Sequence, residues 1–208
     1  MPLPPPPFLT AHKSLARRDP TLAALIKRVG PCTLQPNPAA FHVLTWSIIS
    51  QQISIKAAAS VARKVKKLCG RRGVRPGRLE ELADDELRAC GLSAGKLLSI
   101  RSLSRYFLEN RSLIRRLKDM PDADVIEALV PIRGIGVWTA QMFLMFSLGR
   151  PDVLPVADLG LRAGVRDVYG HPDLPTADSL TALAEPWRPF RSVATWYFWR
   201  SRGFTEAE

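Results

Sequence analysis

The feature that most constrains this chain is a short turn, Pro131-Ile132-Arg133-Gly134-Ile135-Gly136, set between two segments of helical character. The first starts at Asp122 or Asp124. The second, 137–148, is almost wholly apolar and is stopped by Gly149 and Pro151. Two helices joined by so short a turn form a hairpin. Gly134 and Gly136 are expected to allow positive φ in the turn and to let the backbone come close to a ligand. Behind them, the N–H groups from Gly136 to Thr139 are the donors of a helix N-terminus, which is an anion site. A nucleic-acid phosphate is an obvious anion. Downstream, Leu154-Pro155-Val156-Ala157-Asp158-Leu159 opens another helix with a lone carboxylate. A phosphate grip followed by an isolated acid suggests chemistry on a nucleic acid.

The rest of the chain is punctuated in the same helical way. Residues 13–29 form an amphipathic helix stopped by Gly30-Pro31, and 39–49 form the next, with Gln51-Gln52 in the turn that follows. Ser54 caps a helix to Leu68, ending near Gly70, and 70–77 is a basic loop. A helix over 79–90 ends at Gly91, Ser93 caps another to Glu109, and 111–117 make a short turn of helix. After Asp158 a helix reaches Tyr169; Thr176 caps 177–185, and 189–202 is the last. No run of alternating β-formers and no internal repeat occurs, so the expected fold class is all-α. Residues 1–10 read as a Pro-rich tail, with the folded domain at 11–208.

Charge and cysteine usage narrow the partners. The formal net charge is +11, which favours an anionic partner. Between Pro20 and Leu79 there is no Asp or Glu, whereas Lys56, Arg63, Lys64, Lys66, Lys67, Arg71, Arg72, Arg75 and Arg78 crowd one segment. That run is either a solvated helix face or a phosphate-facing surface. Cys32, Cys69 and Cys90 are far apart, with no CxxC, which argues for a reducing compartment and against structural zinc. The apolar run at 134–148 is too short to span a bilayer, and the N-terminus lacks the charged start of a signal peptide. A cytoplasmic protein is expected, nucleoid-associated if bacterial, with no membrane partner. His12, His42 and His171 are scattered, and no role falls to them.

Three words in order carry a family resemblance: Ser-Gln-Gln-Ile-Ser at 50–54, Pro-Ile-Arg-Gly-Ile-Gly-Val-Trp-Thr-Ala at 131–140, and Leu-Pro-Val-Ala-Asp-Leu at 154–159. The chain resembles the helix-hairpin-helix (HhH-GPD) DNA glycosylases, in particular the alkylbase, 3-methyladenine type II branch. That resemblance implies two helical lobes with a DNA-binding cleft between them: one about 36–148, the other about 11–34 plus 151–204. It implies no N-terminal β domain, since the chain is too short at that end. A monomer acting on double-stranded DNA with alkylated bases is expected.

The resemblance also assigns residues. Asp158 becomes the catalytic carboxylate, stabilising positive charge on the sugar and orienting or deprotonating the attacking water. Read on its own it is a helix N-cap, and the two roles are compatible. Trp138 stands where strand-nicking relatives carry a Schiff-base lysine, so a monofunctional enzyme is implied; as an aromatic it either stacks on the extruded base or packs two helices. Trp199, Trp46 and Met142 complete the expected base pocket, with Trp199 ranked above Trp196. Gln52 matches the wedge that fills the gap left by the base, with Gln51 beside it. Gly134, Gly136, Val137, Thr139, Arg133 and Lys96 are the expected phosphate contacts, with Arg101 as a further one. Main-chain carbonyls of Val130, Ile132 and Ile135 would hold a monovalent cation, Na or K. No catalytic cofactor is implied, and no iron–sulfur cluster, since no Cys follows Cys90. The reading that follows is excision of 3-methyladenine and 7-methylguanine type bases in base excision repair. The alternatives are a non-catalytic hairpin DNA-binding protein and a mismatch or oxidised-base glycosylase of the same fold.

Overall fold

The computed structural model describes Phe8 and residues 10–203, and every regular element among them is helical. The chain divides into two compact units, one built from the chain up to Pro36 and from Gly149 onward, the other from Asn37–Leu148.

The first unit contains α1 (Ala11–Arg18), α2 (Pro20–Val29), α11 (Leu159–Tyr169), α12 (Ala177–Leu183) and α13 (Arg191–Ser201). The single helix expected over 13–29 is in fact two. Asp19 is extended at φ −141°, because a residue before proline is pushed out of the helical region, and its carboxylate then caps α2 through Leu22 N–H at 2.9 Å. Asp19 is only 8% exposed, and it also accepts from Trp187 Nε1 at 2.8 Å and from the Tyr169 hydroxyl. Burial first, and the adjacent Asp19 second, push the Tyr169 hydroxyl up from its ordinary range, so it stays a donor. One carboxylate thus joins α2, the end of α11 and the turn before α13. Helices α11 and α13 approach closely because Gly164 faces Phe198: a Cβ there would lie 2.8 Å from the Phe198 carbonyl oxygen. Phe8 is fully buried, and its carbonyl accepts from Ala11 N–H, so the folded body begins before the expected boundary at residue 11. The remainder of the Pro-rich segment, residues 1–7 and 9, lies outside the described residues.

The second unit runs through α3 (Ala40–Ser50), α4 (Ile55–Cys69), α5 (Pro76–Glu81), α6 (Asp84–Ala89), α7 (Ala94–Glu109), α8 (Arg111–Arg116), α9 (Asp122–Leu129) and α10 (Val137–Phe146). Its core is aliphatic, around Leu44, Ile48, Leu97, Ile100, Leu103, Val125 and Phe143. Asn37 N–H donates to the Phe146 carbonyl at 2.7 Å, so the unit closes where its chain enters and leaves. The helix expected over 79–90 is two short ones. Leu82 is buried with extended ψ, and the Glu86 carboxylate accepts from Ala83 N–H at 2.9 Å to start α6. Helix α10 is buried through Thr139, Ala140 and 142–145, which accounts for its unbroken apolar sequence. Among the described residues no helix is long and apolar enough to cross a membrane.

Candidate functional site

The hairpin between α9 and α10 is built from two successive tight turns. Ile132 N–H donates to the Leu129 carbonyl and Ile135 N–H to the Ile132 carbonyl, both at 3.0 Å. Ile132 and Ile135 are buried and pin the turn from inside, while Arg133, Gly134 and Gly136 face outward. Gly134 has φ +81°, and a Cβ there would lie 2.4 Å from Ser99 Oγ, so both conformation and clearance require glycine. Gly136 differs from expectation: its φ is −97° and ψ 178°, extended backbone open to any residue, because one left-handed residue already reverses the chain. A Cβ on Gly136 would meet nothing within 4 Å. No side chain caps α10, and its first internal bond is Ala140 N–H to the Gly136 carbonyl at 3.0 Å. The N–H groups of Val137 and Thr139 therefore precede the first closed turn of the helix, Val137 exposed and Thr139 buried. Trp138, at the second position of α10, is 40% exposed.

The turn between α3 and α4 separates the two glutamines. Gln52 is exposed and has φ +57°, the only non-glycine positive φ among the described residues. Gln51 Nε2 donates to the Gly134 carbonyl at 2.9 Å, so its amide is engaged on the hairpin. Ile53 and Ile55 beside them are exposed, and Ser54 caps α4 through Ala57 N–H at 3.2 Å.

In the other unit, residues 150–153 are stitched to the start of α13. Ser192 Oγ donates to the Arg150 carbonyl at 2.7 Å and accepts from Val153 N–H at 3.0 Å. Arg191 clasps the Asp152 carboxylate with Nε at 2.7 Å and Nη2 at 2.9 Å. From this strap the chain turns through Pro155, whose carbonyl accepts Asp158 N–H at 2.8 Å, into α11. Asp158 is half-buried at the N-cap. Its Oδ1 accepts from Leu161 N–H at 2.6 Å and from Trp199 Nε1 at 2.8 Å. The indole gets that close because residue 160 is glycine: a Cβ there would lie 3.2 Å from both Asp158 Oδ1 and Trp199 Cδ1.

Residues 45–189 match the family described as HhH-GPD superfamily base excision DNA repair protein. The chain belongs to this family. It is 30% identical to the alkylbase DNA glycosidase-like protein mag2 of Schizosaccharomyces pombe over 198 residues, covering 93% of each chain. Its structure resembles the 3-methyladenine DNA glycosylase Mag1 of S. pombe, solved in complex with abasic DNA. The identity is 31% and the TM-score 0.83, covering 95% of this chain and 100% of that one. A DNA-3-methyladenine glycosidase from Bacillus halodurans is 36% identical with a TM-score of 0.81, covering 93% of this chain and 89% of that one.

In this HhH-GPD protein the basic residues divide by what they touch. Arg133 is exposed beside the glycines, and its backbone N–H donates to Ser102 Oγ at 3.2 Å. Lys96 donates from Nζ to the Ile49 carbonyl at 2.7 Å at the end of α3, and burial pulls its ammonium below the ordinary lysine range. Arg101 is not a phosphate contact. It is 13% exposed and holds the Leu82 carbonyl and Asp84 Oδ1, each at 2.6 Å, and the Leu79 carbonyl, tying α5 and α6 to α7. Along α4 and the loop after it, Lys56, Arg63, Lys64, Lys66, Lys67, Arg71 and Arg75 are exposed, whereas Arg72 pairs with Glu81 and Arg78 reaches the Leu68 carbonyl.

The expected pocket residues also differ in setting. Met142 is 5% exposed in the core of its unit, Trp46 is half-buried on α3, and Trp196 is buried edge-on against Tyr197. Of the hairpin carbonyls, that of Ile132 accepts from Ile135 N–H, while those of Val130 and Ile135 accept no hydrogen bond among the described residues. Ser99, Ser102, Gly160 and the Asp152–Arg191 pair escaped the sequence reading. Only Gly160 left a signal, the four-residue step to Gly164 that marks one close-packed face of α11.

Proposed function

We propose that this chain is a monofunctional DNA glycosylase that hydrolyses the N-glycosidic bond of alkylated purines, of the 3-methyladenine and 7-methylguanine type, in duplex DNA. The observation that carries the reading is the Asp158 carboxylate, partly exposed at a helix start and held by Leu161 N–H and the Trp199 indole. A fixed anion needs no reorganisation when positive charge develops on the deoxyribose. The alkylated base is already cationic, so it departs with the bond's electron pair and needs no general acid. Water then adds its oxygen to the anomeric carbon, and its proton passes to Asp158 or to solvent. Trp138 has no amine to form a Schiff base, so the product is an intact abasic strand; its exposed face suits stacking on a cationic purine. The names of the similar S. pombe and B. halodurans proteins support this substrate class.

Binding is assigned to the outward face of the hairpin. Arg133, Gly134, Gly136 and the N–H groups of Val137 and Thr139 hold phosphate, and the bare Gly136 leaves room for it. The carbonyls of Val130, Ile132 and Ile135 would hold Na or K, a hard monovalent ion suited to neutral oxygen donors, which would add positive charge beside that phosphate. Gln52 enters the duplex where the base leaves it. The protein acts as a monomer wherever the DNA is, which in a bacterial cell is the cytoplasmic nucleoid.

The test is to incubate the purified chain with methylated DNA and identify released bases by mass. Free 3-methyladenine and 7-methylguanine are expected, with strand breaks only after alkali. Tight duplex binding without release of any base would instead make it a non-catalytic hairpin protein.

A further inference from the structure

One face of α7 touches both elements assigned to DNA. Lys96 reaches the Ile49 carbonyl just before the Gln51–Gln52 turn, Ser99 lies under Gly134 so closely that no Cβ fits between them, and Ser102 Oγ accepts Arg133 N–H. Lys96, Ser99 and Ser102 are three residues apart in turn, so they stand on neighbouring positions of one helical face. Ser99 Oγ is itself held, donating to the Gly95 carbonyl at 3.0 Å. Across this face, the Gln51 amide joins the turn to the hairpin directly, 2.9 Å from the Gly134 carbonyl.

The next residue sits in a costly backbone conformation. Gln52 is held at φ +57°, where a non-glycine residue stays only if its surroundings impose it. On one side Gln51 is bound to the hairpin and Lys96 to the end of α3; on the other Ser54 is fixed as the cap of α4. The exposed tip between these anchors is Gln52 and Ile53.

We infer that Gln51 is a positioning residue rather than a wedge: it fastens the turn bearing Gln52 to the phosphate-gripping hairpin, so that the two engage a duplex as one body. Phosphate contacts set the register of a protein on DNA. A wedge at fixed distance from that grip enters the stack at a fixed step from the held phosphate; a loosened wedge must find the step anew on each encounter. The inference rests on the glycosylase reading, and Gln51 touches no reacting atom in it.

The test is a double-mutant cycle between Gln51→Ala and Gln52→Ala, read as single-turnover release of one 7-methylguanine placed opposite cytosine or thymine. Gln51→Ala should slow release from the cytosine pair about tenfold or more, and less from the mispair, where extrusion is easier. In the Gln52→Ala background it should add less than about twofold, since it acts through that residue. Gln51→Glu should be worse than Ala, because its carboxylate faces the Gly134 carbonyl without a proton to donate. Affinity for undamaged duplex, its salt dependence and the melting temperature should stay within error of wild type. Losses that add in the double variant, or an equal fall in affinity for undamaged DNA, would overturn the assignment. A second readout needs no turnover: fluorescence of 2-aminopurine opposite an abasic site should rise on binding wild type and rise less with Gln51→Ala. If wild type released no base, the proposed activity would fail, and an unchanged fluorescence response in the variant would still decide against coupling.

Discussion

Asp19 and Asp158 are the same device put to opposite uses. Each is the N-cap of a helix in the first unit, each accepts a backbone N–H three residues on, and each accepts a tryptophan indole N–H at 2.8 Å. Asp19 is buried, its second oxygen taking the Tyr169 hydroxyl, and its tryptophan, Trp187, is completely buried. Asp158 is only half-buried, its tryptophan is half-buried too, and exposed Ala157 and Leu159 flank it. A cap with an indole partner is therefore not a signature of catalysis. What separates the two is burial: Asp19 is sealed in its unit, while Asp158 is only half-buried.

Substitution should separate them most sharply at Asp158. Asn caps a helix as well as Asp, so Asp158→Asn should leave the melting temperature within a degree or so while base release falls on the order of 10²–10³-fold. Retained release in single-turnover assays would sink the catalytic assignment. Asp19→Ala is the converse. It strands two donors, one of them fully buried, and uncaps α2, for a loss of about 3 kcal/mol by chemical denaturation. The rate per folded molecule should not change; a slower rate at full folding would mean the two corners are coupled.

Trp199→Phe should act like a mild Asp158 variant. It keeps the ring but removes the N–H bond to Oδ1, a charge-assisted bond worth about 1.5 kcal/mol, for roughly a tenfold slower release. An unchanged rate with unchanged substrate affinity would show that the Leu161 N–H suffices to hold the carboxylate. The smallest effect extends the comparison to α10, the helix start that has glycine where the others have aspartate. Gly136→Asp imports a side-chain cap where glycine is already tolerated, so stability should hold or rise by only about 0.3 kcal/mol. Affinity for undamaged duplex should fall about tenfold, because the protein's own anion now occupies the phosphate position. Unaltered affinity would remove α10 from the phosphate grip.

Much of the helical frame was legible because its signals are local. Ser54, Ser93, Asp158 and Thr176 each stand where the sequence places a cap, and each accepts from the backbone N–H three residues on. Where one local signal overlies another, the sequence pattern hides a break. The apolar spacing from Leu15 to Val29 runs straight through Asp19-Pro20 and masks the break there, although proline after an aspartate marks it. The break at Leu82-Ala83 had no glycine or proline to announce it. Long-range partners were out of reach in a different way. Arg101 reads as a surface charge until its side chain is seen among the carbonyls of residues 79 and 82, and nothing near Gln51 announces Gly134 as its partner.

What the sequence determined alone was the list of parts: a two-glycine hairpin, a glutamine turn, an aspartate opening a helix, and no β structure, each encoded by neighbours within one or two helical turns. What only tertiary structure decided was which parts share a partner. Gly134 must be glycine because Ser99 lies beneath it, whereas Gly136 meets nothing inside the fold. Asp158 is joined to Trp199 across forty-one residues because Gly160 leaves room for the indole. The physical reason is range: helix caps and turns are made by bonds between adjacent residues, while clearance and side-chain pairing depend on how closely separate helices pack.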